Sequence, residues 1–490
     1  MKKRLSLGVV LATGASLALP GAALAQDGLG AVKTELDMTW VMLATVLVLL
    51  MQAGFMFLEI GFSRQKNVGT GVAKILINLG VLSLAWYMFG QGVNGPGNSL
   101  FGTDGFFYHF GQDVDGSIVG GVDVGFMLYG LVFAAVSLAI VWGTTLERIK
   151  FGVYAIYAFV FGAVIYPLIA HAVWSGDGLL DDIGGKEVLD FAGSSVVHLT
   201  GATAALAALL LLGARAGKYG ADGKPRAIPG HSMPLVGLGV ILLWVGWFSF
   251  NAGSTFTTAD VFFAEVALNT QLAAAAGVIG ALLVVYMKTR ALDVGMAGNG
   301  AIAALVGITA GCGYVETWAA PIIGFVAGVI VVHSVIFIER YLDDPVGALS
   351  AHGVAGIWGT LAVGIFGSAR LVGDTASPGV WYGITDGDVD FGATLGQLGV
   401  QAVGVVATFV VVLSLSLLAF WAIKQTIGLR ASDAEELAGL DISSHGMYGY
   451  PEAFIPQEEY PASDGYEPHV AGTPVAPAPA GATAQRPTNA

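Results

Sequence analysis

Asp190-Phe-Ala-Gly-Ser-Ser-Val-Val-His198 and Asp344-Pro-Val-Gly-Ala-Leu-Ser-Ala-His352 share one layout. In each, an aspartate opens an apolar stretch and a histidine follows eight residues later, about two helical turns further on. Both stretches run on into long apolar segments, so each histidine is expected inside hydrocarbon, where an ionisable group is expensive. The same costly placement, made twice, marks a site. The relation between the two copies also decides how the chain is folded around it.

The rest of the sequence supplies the setting. Of 490 residues, 55% are hydrophobic and only 11% charged, against about 25% charged in soluble domains. With a mean hydropathy of +0.74, the chain reads as an all-α integral membrane protein. Its 71 glycines fit that class, because small residues let membrane helices approach closely. Lys2, Lys3 and Arg4, the apolar run Leu5 to Leu19 and the small-x-small triplet Ala23-Leu24-Ala25 read as a secretory signal over residues 1–25, cleaved before Gln26. That points to a bacterial inner (cytoplasmic) membrane, crossed many times. The single cysteine, Cys312, excludes an intrachain disulfide and speaks against a thiolate metal cluster. A net charge of −14 excludes nucleic acid as a natural partner.

Apolar runs near the spanning length of about 20 residues recur eleven times, at 38–62, 71–92, 123–146, 151–173, 193–213, 233–252, 261–288, 296–312, 317–339, 346–369 and 395–425. With the mature N-terminus outside, the interior connections hold Arg64, Lys66, Lys74, Arg148, Lys150, Arg215, Lys218, Lys224, Arg226, Lys288, Arg290 and Arg340, while the exterior ones hold Lys186 and Arg370. Acids such as Asp113, Asp115, Asp181, Asp182, Asp386 and Asp388 crowd the exterior. This asymmetry follows the positive-inside rule and places the C-terminus inside. The fifth span then runs inward and the tenth outward. His198 and His352 approach mid-membrane from opposite faces, as in an inverted repeat of five spans plus five with an extra C-terminal helix. Residues 26–427 form the eleven-helix domain of this plan. Residues 428–450 form a polar cytoplasmic tail, and the proline- and alanine-rich 451–490 are expected to be disordered.

Two imidazoles at one depth could ligate haem, or hydrogen-bond to each other and line a narrow path that shares a proton. The glycine-rich and aromatic surroundings favour the path. His171 and His333 read more simply as hydrogen-bonded membrane histidines. Asp344 reads as a helix cap, whereas Asp190 is placed to stabilise a cation at the outer mouth without touching it. Tyr129 and Phe133 share one helix face at i and i+4. Trp174 ends the fourth span, and Trp247-Phe-Ser-Phe250-Asn-Ala-Gly-Ser254 ends the sixth. Rings beside a hydroxyl can hold a small cation, worth about 0.5–2 kcal/mol per ring. Trp40, Trp86 and Trp421 read as interface-belt residues.

These segments, together with Gly311-Cys-Gly-Tyr314 and Gly439-Leu-Asp-Ile-Ser-Ser-His-Gly446, resemble the ammonium transporter family (Amt/Mep/Rh) from the first span to about residue 450. The resemblance implies a homotrimer with one hydrophobic pore per subunit and no cofactor or metal. It implies an outer recruitment site at Trp174, Tyr129 and Ser254 with Asp190 beside it. Phe133 and Phe250 would be the rings closing the pore, and His198 and His352 the twin histidines lining it. Trp247 and Asp344 take packing or supporting places. It further implies ammonium, ammonia and methylammonium as substrates and a PII-type signal protein docking at the cytoplasmic face, near 428–446. Two departures stand out: Tyr129 occupies a position where phenylalanine is common, and Gly347 one where many relatives have an acid. No nucleophile–base or phosphate-loop pattern suggests an enzyme. A sensor or transceptor and a Rhesus-type neutral gas channel are the alternative functions.

Overall fold

Apolar length sets the elements. The computed structural model describes residues 20–108 and 118–451. The signal segment as far as residue 19, the exterior acids Asp113 and Asp115, and the tail from 452 onward lie outside the described residues. Among those described, no β-strand forms, and ten helices are long and apolar enough to span a membrane. In chain order these are α1 (Gly30–Phe62), α2 (Gln65–Asn94), α3 (Gly120–Thr144), α4 (Phe151–Trp174), α5 (Ser194–Leu212), α6 (Met233–Gly253), α7 (Ala259–Thr289), α9 (Ala319–Ile338), α10 (Leu349–Phe366) and α11 (Phe391–Thr426). The eighth expected span is shorter: α8 (Val294–Thr309) has 16 residues.

The shortening of α8 has a local cause. Its last turn gives way to Ala310-Gly311-Cys312-Gly313, and the segment before α5 lies against that end. Phe191 N–H donates to the Ala310 carbonyl (3.0 Å) and Ala192 N–H to that of Thr309 (3.2 Å). The Ser194 hydroxyl donates to the Val306 carbonyl and accepts from Ala310 N–H, both at 2.7 Å. Backbone groups that would be orphaned in hydrocarbon are thereby paired within the protein.

Pairings at the helix ends place α5 and α10 in opposite directions. Arg148, just past α3, donates from Nε to the Gly213 carbonyl after α5 (2.9 Å) and from Nη2 to the Asp343 carbonyl before α10 (2.7 Å). The end of α5 and the start of α10 therefore share one end of the molecule. At the other end, Ser368 after α10 donates its N–H to the Tyr314 carbonyl (2.8 Å), beside the α8 terminus that meets the start of α5. Close crossings make this antiparallel arrangement compact. A Cβ on Gly356 of α10 would lie 2.6 Å from the Ser194 carbonyl oxygen of α5, and one on Gly239 of α6 2.4 Å from Leu58 N of α1. Neither position admits a side chain.

Both α5 and α10 begin with a π-helical turn, Ser194–Leu199 and Leu349–Val354. Such turns are rare and frequent at functional sites. Each is entered through a left-handed glycine three residues after the aspartate, Gly193 (φ +114°) and Gly347 (φ +75°). The Gly347 departure thus has a reason in this chain: an acid there would strain the backbone, and its Cβ would press on Asn299 Nδ2 at 3.1 Å.

After α11, the chain turns back as α12 (Asp433–Ala438) and α13 (Leu440–His445) and lies across the basic connections. The Asp441 carboxylate, 1% exposed, accepts from the amides of Gly69 (2.9 Å) and Thr70 (2.8 Å). Glu436 accepts from Arg430 Nη2 (2.6 Å) and from Ala216 N–H (2.7 Å).

Two expectations about single residues are corrected. Trp86 is not an interface-belt residue: it is fully buried in a π-helical turn of α2, with its indole N–H on the Met127 carbonyl (3.2 Å). His333 does not bridge helices but lies exposed on α9. His171, by contrast, is buried with ring nitrogens on the carbonyls of Gly95 (3.0 Å) and Asn98 (2.7 Å), the simpler reading of that residue.

Candidate functional site

Asp190 builds the first half of the site. Its Oδ1 accepts from the amides of Gly193 and Ser194, both at 2.8 Å, and Oδ2 from those of Ser195 (2.8 Å) and Val196 (2.9 Å). Four amides at the start of a helix are the groups that lack intrahelical partners, and one carboxylate satisfies them all. Asp344 does the same for α10 with two contacts, to Gly347 (3.0 Å) and Leu349 (2.8 Å). The Asp190 carboxylate is buried against those four amides. Its backbone carbonyl accepts the Trp174 indole N–H (2.7 Å).

From those caps the two histidines arrive side by side. Nδ1 of His352 and Nδ1 of His198 are 3.2 Å apart, the ring centroids 5.2 Å, the planes 24° off parallel. A contact between two imidazole nitrogens needs one proton between them, donated by one ring and accepted by the other. Both rings are buried, and His198 Nε2 has no hydrogen-bond partner. Two nitrogens sharing one metal atom would each lie about 2.0 Å from it on opposite sides. At 3.2 Å apart and facing each other, they leave no room for a haem iron between them.

The aromatic residues continue the line toward the Asp190 end. His198 stacks on Trp247 (centroids 5.0 Å, 22°) and lies 5.4 Å from Phe250. The Trp247 N–H is held by Thr309 Oγ1 (2.9 Å). Phe250 stacks flat on Phe133, with centroids 4.1 Å apart and planes 8° off parallel. Beyond that plate, Tyr129 lies 4.5 Å and Trp174 6.2 Å from Phe133. The Tyr129 and Ser254 hydroxyls are 3.1 Å apart, and the Ser254 hydroxyl donates to the Phe250 carbonyl at 2.8 Å. The residues expected to form the recruitment site, the rings closing the pore and the twin histidines thus fall into one column: Trp174, Tyr129 and Ser254, then Phe133 and Phe250, then His198 and His352.

Three contributors were not expected. Phe256 closes edge-on over Tyr129 at 5.2 Å, from a left-handed backbone position (φ +55°) after α6. Phe55 of α1 lies 6.1 Å from His352. Glu59 and Lys74 form a wholly buried ion pair between α1 and α2, so Lys74 lies inside the second span and not, as expected, in an interior connection. The last carried a signal: charged residues within two apolar runs, one helix apart, are rare enough to be partners.

The Tyr129 hydroxyl meets the Ser254 hydroxyl at 3.1 Å and the Phe250 carbonyl at 3.4 Å, two groups already paired with each other. Tyr129→Phe is therefore expected to lower stability by only about 0.5–1.5 kcal/mol and to keep the column intact. Thermal unfolding in detergent checks this, and a collapse of the folded state would make the hydroxyl structural.

A model described as Ammonium Transporter Family matches residues 39–450. Ammonium transporter Amt2 of Archaeoglobus fulgidus is 41% identical over 441 residues, covering 87% of this chain and 90% of that protein. The ammonium transporter of Bacillus subtilis is 31% identical, over 84% of this chain and 98% of that protein. Among solved structures, one titled Sensor Amt Protein superposes with a TM-score of 0.76 at 33% identity, covering 84% of this chain and 99% of that one. Mep2 of Candida albicans gives 0.72 at 30%, covering 84% and 90%.

Proposed function

Because the chain belongs to the ammonium transporter family, we propose that it moves ammonium across a bacterial inner membrane by taking the cation apart. Ammonium carries a full charge that hydrocarbon rejects, whereas ammonia is small and neutral. The cation is recruited by the rings of Trp174 and Tyr129 and the hydroxyl of Ser254. The field of Asp190, acting through its capped helix start and its own carbonyl, favours positive charge at that point. Deprotonation follows there. Ammonia then crosses the plate of Phe133 and Phe250, and the proton crosses separately through His198 and His352. The observation that carries this reading is the 3.2 Å contact between the two imidazoles, lying directly beneath an aromatic plate. A neutral molecule can slip past rings that move aside, and a shared proton can hop along nitrogens.

The same reading puts the mature N-terminus outside and the C-terminus inside, with three copies of the chain in the working unit and methylammonium as a second substrate. A PII-type signal protein would dock on the face carrying residues 428–446. A sensor or transceptor role is the second reading. It is favoured by the likeness to the structure titled Sensor Amt Protein and by a tail folded onto the connections at 64–70, 145–150 and 213–218.

Uptake of radiolabelled methylammonium in a strain without transporters of its own, with membrane-potential recording, tests substrate and coupling together. His198→Ala and His352→Ala are each expected to lower the proton-coupled current by at least about a hundredfold, the usual worth of a placed proton carrier. Normal currents in both variants would end the shuttle role, while the pore could stand.

A further inference from the structure

Beyond the twin histidines, on the side away from the aromatic plate, lies a cavity of ≈ 20 Å³. Its walls include Phe55, Glu59, Ile140, Gly143, Val346 and His352. That volume holds one water-sized molecule, hence also one ammonia. Phe55 lies beside the His352 ring, with centroids 6.1 Å apart, and Glu59 follows one helical turn further along α1. An imidazole and a carboxylate thus border the same small space. Glu59 is 1% exposed and pairs through Oε2 with Lys74, itself fully buried, whose Nζ also donates to the Trp142 carbonyl (3.2 Å). The other oxygen, Oε1, is buried without a hydrogen-bond partner. It points to the cavity wall at Gly143, where a Cβ would meet it at 3.5 Å.

A structural staple between α1 and α2 would not need this geometry. Buried ion pairs stabilise little, because desolvation offsets their attraction, and apolar residues would join two membrane helices as well. Neither would a staple need to border the pathway, nor to leave one carboxylate oxygen unpaired beside it. We propose that Glu59 is the proton station of the inner half of the pathway, accepting the proton relayed by the twin histidines and returning it to ammonia. The proposal rests on the transport reading above.

The step balances without any further reactant. An imidazolium N–H of His352 gives its proton to the molecule in the cavity, which passes one proton to Glu59 Oε1, leaving the imidazole neutral and the carboxyl protonated. Ammonia reaching the inner end takes that proton, so ammonium leaves and the carboxylate is restored. Lys74 keeps its own charge throughout. It holds Glu59 ionised while the proton is elsewhere, and it rests on the Trp142 carbonyl while Glu59 is neutral.

Proteoliposomes given an ammonium jump report charge movement as current and ammonia entry through an internal pH dye. The quantity to read is charge moved per ammonia admitted. In Glu59→Gln, and in Glu59→Gln combined with Lys74→Met, which avoids stranding a buried cation, this ratio is expected to fall at least about tenfold. Glu59→Asp is expected to restore part of it. A ratio within about twofold of the parent protein in the assembled double variant would overturn the proposal. So would failure of that double variant to assemble, which would assign the pair to the scaffold. A parent protein that admits ammonia without moving charge would overturn the proton station and leave transport standing. One that does neither would overturn the transport reading, and the station with it.

Discussion

Asp190→Ala is expected to abolish uptake of methylammonium and to prevent stable assembly of the protein. The carboxylate satisfies four backbone amides, those of Gly193, Ser194, Ser195 and Val196, at 2.8–2.9 Å in a site where the residue is 4% exposed. Each buried amide left without a partner costs about 1–3 kcal/mol, so the loss is comparable with the whole stability of a typical domain, about 5–15 kcal/mol. The damage would not stay local. Gly193 O accepts from the amides of Val197 and His198 (both 3.0 Å), so the cap sets where the His198 ring lies. Asp190→Asn keeps the shape but turns an NH₂ toward two N–H donors, and an intermediate loss is expected. Asp344→Ala, which removes two contacts rather than four, should cost about half as much. Assembly is read by size-exclusion profile in detergent and function by uptake. An Asp190→Ala protein with parental thermal stability would show that the cap is dispensable.

Asp343→Ala is the second large effect, at about 3–5 kcal/mol, because it strands buried cations. Asp343 is 3% exposed; its Oδ2 accepts from Arg215 N–H (2.8 Å) and Nε (2.9 Å), and its Oδ1 from Nη2 (2.9 Å), with Arg148 Nη1 3.8 Å away. After removal, Arg215 retains only the more distant Glu147 carboxylate at 3.6 Å. The pH dependence has a defined sign. Burial pushes the Asp343 pKa up, but hydrogen bonds from Arg215 and the charges of Arg148 and Arg215 outweigh it and hold the group at about 2, below its ordinary 3.8. A depressed carboxyl contributes stability that is fully present above the unfolded pKa and is lost as pH falls through the folded one. The parent protein should therefore lose stability between pH 3.8 and about 2 in a component that Asp343→Asn lacks. Thermal scans across that window measure it. Parallel curves for the two proteins would remove Asp343 from the account of acid stability.

Much of this was legible in one dimension. Hydropathy run length located the spans because crossing a membrane is a constraint on contiguous residues. Spacing found the paired Asp-to-His segments, because a cap and a side chain two turns later belong to one helix. Tyr129 and Phe133 could be placed on one face for the same reason. The errors have the opposite character. Trp86 and an interface-belt tryptophan look alike in sequence, since both sit near the end of an apolar run; only the crossings of α2 with α3 and α4 bury one of them. The burial of the Asp190 carboxylate against four amides was also invisible, because it depends on the left-handed turn at Gly193 and on α8 stopping at Thr309.

The sequence by itself determined a membrane-spanning helical protein, its family and the residues that could form a pathway. Those properties follow from apolar length, local spacing and motif, all read along the chain. Tertiary structure alone decided that the His198 and His352 Nδ1 atoms lie 3.2 Å apart, that Phe133 and Phe250 close into a plate, and that Glu59 and Lys74 pair beside a cavity bordered by His352. These depend on how closely separate helices cross. Contacts across helices are set by which small residues, such as Gly239 and Gly356, meet which backbones, and that is a property of the packed bundle rather than of any one segment.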